Sequence, residues 1–181
     1  STQFAVLVLR DEDKAAARAH WHTPLVFSVQ EAKGLEYPHV VLAGLVSGQR
    51  TAYAELCDGV SPADLLREEL DYRRGRDKGD KSSELYKFYV NALYVAMTRA
   101  VQTLTLVESD HAHPLLGLLG LSLSQASPQA VQASSREDWA QEARRLELQG
   151  KQEQASAIRE TFLQFKPIAW TPWSQAQIAA L

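Results

Sequence analysis

Apolar residues run almost unbroken from Phe4 to Leu9 (FAVLVL), from Leu25 to Val29 (LVFSV) and from Val40 to Val46 (VVLAGLV). Runs of this length with little polar alternation predict strands covered on both faces. Between the first two, Ala15, Ala16, Ala17 and Ala19 favour helix, with Asp11 placed to cap it and Pro24 to close the turn. Buried strands separated by a helix predict a parallel sheet and an α/β fold. Farther on, Ser61-Pro62-Ala63-Asp64 joins a serine cap, a proline at the first helical position and an acid completing the box. That pattern predicts a helix to about Arg74, where Gly75 can end it. From Glu84 to Arg99 the chain is helix-like and apolar around most of its girth, which predicts a largely interior helix with Tyr94 and Met97 in the core. Val101 to Val107 (VQTLTLV) predicts one more strand.

The pattern changes after Ser109. Leu115 to Leu123 is rich in leucine and glycine, and Ser122 to Ser135 carries no charge, so that stretch reads as a connector. Ser134 and Ser135, with Glu137 and Asp138 three residues later, mark a fresh helix start. One helix to Gly150 and a second from Lys151 to about Phe165 predict an antiparallel hairpin. Its six bases and six acids between Arg136 and Lys166 balance, as a solvated outer face requires. The division predicted is a domain over 1–110, a connector over 111–135 and a helical hairpin over 136–181.

Composition narrows the setting. A chain of 181 residues has room for one medium domain with a small appendage, and 45% apolar with 23% charged residues is an ordinary globular mix. A net charge of −3 excludes attachment to nucleic acid by bulk charge and leaves room for a local basic patch. The stretch from Arg73 to Lys81 (RRGRDKGDK) supplies five bases against two acids, and reads either as a solvated loop or as a loop that contacts phosphate. The single cysteine, Cys57, excludes an internal disulfide framework and reads as a small buried apolar residue rather than a nucleophile. The pairs His20-x-His22 and His111-x-His113 lack an evident third ligand, so no metal is expected. No apolar run approaches the roughly 20 residues of a membrane helix, and the Ser-Thr-Gln start has no charged leader. A cytoplasmic protein without a membrane partner is the expectation.

Two segments carry chemistry. Ser28-Val29-Gln30-Glu31-Ala32-Lys33-Gly34-Leu35-Glu36-Tyr37 follows a buried strand directly, and polar groups at such a strand-to-loop junction are placed for ligand contact. Gly34 allows a tight turn or a close approach. In Ala92-Leu93-Tyr94-Val95-Ala96-Met97-Thr98-Arg99-Ala100, a single arginine follows a long apolar stretch. A buried cation needs an anionic partner, so Arg99 reads equally as a structural ion pair or as a phosphate ligand.

Taken together, SVQEAKGLEYPHVVL resembles the fifth motif of the UvrD/Rep-type superfamily 1 DNA helicases, usually T-x-H-x-A-K-G-L-E-[FY]. NALYVAMTRA resembles their sixth, Y-V-A-[LM]-T-R-A, and the order is that of the family. The resemblance spans residues 4 to about 107, a little over half the chain. It implies most of the second RecA-like domain, a parallel sheet with flanking helices of the P-loop NTPase superfamily. In that family two RecA-like domains sandwich ATP with Mg2+, and closure drives stepping along single-stranded DNA. The resemblance assigns Arg99 as an arginine finger that stabilises charge growing on the γ-phosphate. Glu36 and Gly34 fall at the nucleotide. Ser28 and Gln30 match the threonine and histidine that face DNA, and Lys33 between the two sites is grouped with them, in a structural or phosphate-linked role.

Departures from the family are plain. Serine replaces threonine at 28 and glutamine replaces histidine at 30, though both still hydrogen-bond a phosphate. No G-x-x-x-x-G-K-[ST] loop and no acidic magnesium motif occurs, so the first RecA-like domain is missing from this chain and half an ATPase site is not expected to turn over ATP. In the hairpin, Trp139, Ala143, Gly150, Ala155 and Pro167 resemble the signature positions of a tetratricopeptide repeat, with Glu142 where leucine is usual. Trp173 lies 34 residues after Trp139, the period of that repeat. An unrelated helical cap is the alternative. The expected function is therefore the second motor domain of an ATP-dependent helicase or translocase, with the hairpin as a site for a protein partner. The alternatives are a non-enzymatic interaction module on a degenerate RecA-like scaffold, and a helicase-nuclease subunit in recombination or repair.

Overall fold

A computed structural model describes residues 1–66, 81–121, 123 and 132–164. It divides into two compact units, Ser1–Ser134 and Ser135–Leu181. The first holds strands β1 (Phe4–Val8), β2 (Val26–Ser28), β3 (Tyr37–Ala43) and β4 (Ala100–Val107). Its helices are α1 (Lys14–Trp21), α2 (Arg50–Cys57), α3 (Lys81–Met97) and α4 (Pro114–Leu118). All neighbouring strands are parallel, in the order β2-β1-β3-β4. The unit is thus an α/β fold with a four-stranded parallel sheet and flanking helices. Among the described residues no helix is long and apolar enough to cross a membrane.

The continuous apolar run of β1 fits its place inside the sheet, and β2, although an edge strand, is covered as well: Ala5 to Val8 and Val26 to Ser28 are all buried. Val6, Val8 and Val26 pack with Ala17 of α1, and Trp21, Val41 and Ala43 lie against them. Strand β3 differs from its expected span of 40–46. It starts at Tyr37, with an irregular register against β4 between Tyr37 and His39, where Pro38 has no N–H to give to a ladder. It ends at Ala43 because Gly44 turns left-handed at φ +61°. Leu45 and Val46 are buried in the turn that follows, so their apolar character belongs to the core but not to the strand.

Helix α3 corrects two expectations. It buries Tyr89, Ala92 and Ala96 and leaves the opposite face in solvent, with Tyr94 66% exposed rather than in the core. Spacing of three and four residues gives it one buried stripe, not an interior position. Asp11 does not cap α1: residues Asp11–Asp13 form a 3-10 turn, and no side chain caps the helix. After Ser61 the Asp64 carboxylate accepts from the serine N–H and hydroxyl, but only a 3-10 turn at Asp64–Leu66 follows. The rest of the helix expected to Arg74 lies outside the described residues, as does the basic stretch before Lys81.

Helices α2 and α4 have no strong sequence signal. Helix α2 buries only Tyr53, whose ring meets Tyr89 edge-on at 5.2 Å, and burial pushes its phenol well above the ordinary range. Cys57, at the end of α2, is half-buried and free, and burial raises its thiol pKa. His113 caps α4: its Nδ1 accepts from Leu115 N–H at 3.2 Å, while Nε2 lies 3.1 Å from the Arg50 carbonyl, which fixes Nε2 as the donor.

The described part of the second unit holds two helices, α5 (Arg136–Leu148) and α6 (Gln152–Thr161), with Gly150 left-handed at φ +74° between them; the rest of the hairpin expected to 181, with Pro167 and Trp173, lies outside the described residues. Ser135 and Asp138 form the capping box. Trp139 stacks on Phe162 with centroids 3.9 Å apart, and Ala143, Leu146, Ala155 and Ile158 complete the seam. Glu142 is tolerated in this apolar seam because Arg145 clasps both its oxygens at 2.7 and 2.8 Å.

One carboxylate ties the carboxyl ends of β3 and β4 together. Glu108, just past β4, accepts from Val46 N–H (3.0 Å), Ser47 N–H (2.8 Å) and the Ser47 hydroxyl (2.6 Å). Removing it strands three donors in a half-buried turn. Glu108→Ala is expected to lower stability by about 2–3 kcal/mol in urea unfolding, and Glu108→Gln, which keeps one acceptor, by less.

Candidate functional site

The segment after β2 begins with a local cap. Ser28 is 1% exposed; its N–H donates to Glu31 Oε2 at 3.0 Å and its hydroxyl accepts from Glu31 N–H at 3.3 Å. The S-x-x-E spacing is that of a capping box, a signal legible in the sequence and hidden there by the longer motif. The hydroxyl of Ser28 therefore holds the turn instead of facing outward. The other oxygen of Glu31 accepts from Lys14 Nζ at 2.8 Å, and Lys14 is only 7% exposed. Sequence reasoning missed this pair, because the two residues are 17 apart and meet only across the start of α1.

Beyond the cap, Ala32 and Leu35 are buried, while Gln30, Lys33, Gly34 and Glu36 are exposed. Among the described residues the side chains of Gln30, Lys33 and Glu36 make no hydrogen bond or ion pair, so all three remain open to a ligand. Gly34 has φ +80°, and a Cβ built on it meets nothing within 4 Å. Its glycine is thus needed for backbone conformation and not for close packing within the chain.

Arg99 follows the end of α3 and faces this loop. Its Nη1 donates to the Leu35 carbonyl at 3.1 Å, Nε to the Val95 carbonyl at 3.0 Å, and Nη2 to the Thr98 hydroxyl at 3.1 Å. In return the Arg99 carbonyl accepts from Tyr37 N–H at 3.0 Å. No carboxylate pairs with Arg99 among the described residues. The charge sits at the carbonyl end of a helix, where the helix dipole favours a cation. Of the two roles open for Arg99 in the sequence, the carboxylate ion pair is absent; backbone carbonyls hold the side chain and leave further N–H groups for an anion.

Arg99, Gly34 and Glu36 thus gather at the amino ends of β3 and β4, since Tyr37 and Ala100 pair there. Ser28 lies at the opposite end of the sheet, level with Val8. Among the described residues no group of three or more His, Cys, Asp and Glu side chains is arranged to hold a metal. Comparison of the chain with protein-family models, with curated proteins and with solved structures returned no match.

The left-handed Gly34 sets the path of the loop beneath Arg99. Gly34→Ala is expected to cost about 1–2 kcal/mol through backbone strain alone, with no clash. Gly34→Asn should cost less, and paired urea-unfolding midpoints check the order.

Proposed function

We propose that this chain is the second motor lobe of an ATP-dependent superfamily 1 DNA helicase or translocase, in the P-loop NTPase superfamily and of RecA-like fold. The reading rests on the two motifs, and the observation that carries it is their meeting in space: Arg99 from one bonds the backbone of the other at Leu35. In this reading ATP with Mg2+ is bound chiefly by a first RecA-like lobe. Arg99 supplies the finger, and Glu36 accepts a hydrogen bond from the ribose beside Gly34. A rigid guanidinium stabilises the charge that grows on the equatorial phosphoryl oxygens as the bond to the leaving group lengthens. Single-stranded DNA is contacted by Gln30 and Lys33, held in place by the Ser28 cap.

A second reading has its own support. Arg99 already joins the end of α3 to the loop through its Nη1 bond to the Leu35 carbonyl and the Tyr37 N–H bond to its own carbonyl, which is what a non-enzymatic scaffold would need, with the hairpin as its binding arm. The two readings part on one variant. In a protein that joins this chain to its P-loop lobe, Arg99→Ala should lower ATP turnover by about a thousandfold or more, with Arg99→Lys recovering little because lysine lacks the fork. Loss of stability with an unchanged rate per folded molecule removes Arg99 from the chemistry and leaves the scaffold. The 181-residue chain alone should show no ATPase above background.

A further inference from the structure

From β1 the chain moves to β2 on one side and afterwards to β3 on the other, so the carboxyl ends of β1 and β3 form a topological switch point. Open parallel sheets characteristically hold ligands in such crevices. A cavity of about 290 Å³ lies there, lined by Glu12 and Asp13 before α1, Ala16 and Ala17 on α1, and Gly48 and Gln49 in the turn beyond β3. It is at the opposite end of the sheet from Arg99, and neither helicase motif contributes to it.

The lining specifies the ligand. Walls of alanine from α1 and of glycine from the turn after β3 suit a flat ring, and a Cβ on Gly48 would meet nothing within 4 Å. Asp13 has no partner among the described residues, and Glu12 has only the exposed Arg10 at 3.3 Å. Carboxylates repel phosphate and accept from N–H groups. Gln49 Oε1 is occupied by the Tyr89 hydroxyl at 2.8 Å, which turns its amide N–H2 toward other acceptors. The crevice therefore offers carboxylate acceptors together with an amide donor.

We infer that this crevice binds the edge of an amino-bearing nucleobase, with the exocyclic amine on Asp13 or Glu12 and a ring acceptor on Gln49. The base comes either from a free nucleoside or from a single strand crossing this end of the sheet; only the second source rests on the helicase reading.

Cytidine and uridine differ at C4 by amine against oxygen and form the cleanest probe pair. Titrated into the 15N-labelled chain, cytidine should shift the Gly44 and Gly48 amide resonances saturably, with uridine weaker by about tenfold. Gly48→Leu fills the crevice and should abolish the shifts. Asp13→Asn, a surface change that leaves the fold intact, should remove the preference for cytidine. Equal binding of the two nucleosides, or shifts that survive Gly48→Leu in a folded variant, overturns the proposal. In fluorescence anisotropy, dC12 tighter than dT12 identifies a strand as the source. Cytidine shifts with no affinity for either oligonucleotide keep the crevice and remove the DNA contact, whereas equal affinity for both with no nucleoside shifts removes the crevice alone.

Discussion

Residues 29–36 must carry the chain from the carboxyl end of β2 to the amino end of β3, passing β1 on the way. A parallel crossover ordinarily takes a dozen residues or more. Eight residues fully extended reach roughly 28 Å, and the descent along β1 alone takes roughly 20 Å at a strand's rise. The segment makes two turns on the way, with Ala32 N–H on the Ser28 carbonyl at 2.9 Å and Leu35 N–H on the Ala32 carbonyl at 3.0 Å, and both of its ends are pinned. At the top the Ser28–Glu31 cap and Lys14 start the turn, and at the bottom Arg99 bonds the Leu35 carbonyl. The exposed side chains of Gln30, Lys33 and Glu36 are displayed by a backbone held at both ends and hydrogen-bonded within itself between them. Rigid presentation of open polar groups is what a site asks of its scaffold.

How much of this the sequence disclosed depended on whether the signal was local. The parallel sheet was legible because Phe4 to Leu9 and Leu25 to Val29 are apolar on both faces, and the hairpin because its cap, glycine and small residues are all near neighbours. Features set by distant partners were not legible. Glu108 and Ser47 are 61 residues apart, and nothing in either neighbourhood announces the pairing. The mistaken position of β3 has the same origin: Leu45 and Val46 are buried by tertiary contacts after Gly44 has ended the strand, and hydropathy does not separate a buried turn from a buried strand. Tyr94 fell on the solvent side because a helix with aromatic and apolar residues on several faces has no unique buried stripe until a neighbour selects one.

The site divides by the same rule. That Arg99 and the loop of Gly34 and Glu36 belong together was available only through the resemblance, since the Arg99–Leu35 contact joins residues 64 apart. That Ser28 is buried and engaged could have been read from the spacing of Ser28 and Glu31. The structure also separates what the motif joins: Ser28 is level with the end of β1, while Glu36 lies beyond the start of β3, so one short segment reaches both ends of the sheet. In the proposed motor, a push on the nucleotide side at Glu36 has a short covalent path to Gln30 and Lys33, with Ala32 and Leu35 packed in the core between them.

The manner in which Arg99 is held bears on what it can do. A carboxylate partner would fix a guanidinium equally well, but it would also cancel the charge, and an incoming phosphate would have to displace it or bind against it. Carbonyl oxygens position the group through dipoles alone. No carboxylate among the described residues forms an ion pair with the side chain, and the carbonyl end of α3 makes its charge tolerable in the free protein. The arrangement gives up some stability relative to an ion pair and retains an electrostatic demand for a negative ligand. A purely structural arginine has no need of that demand, and a finger depends on it.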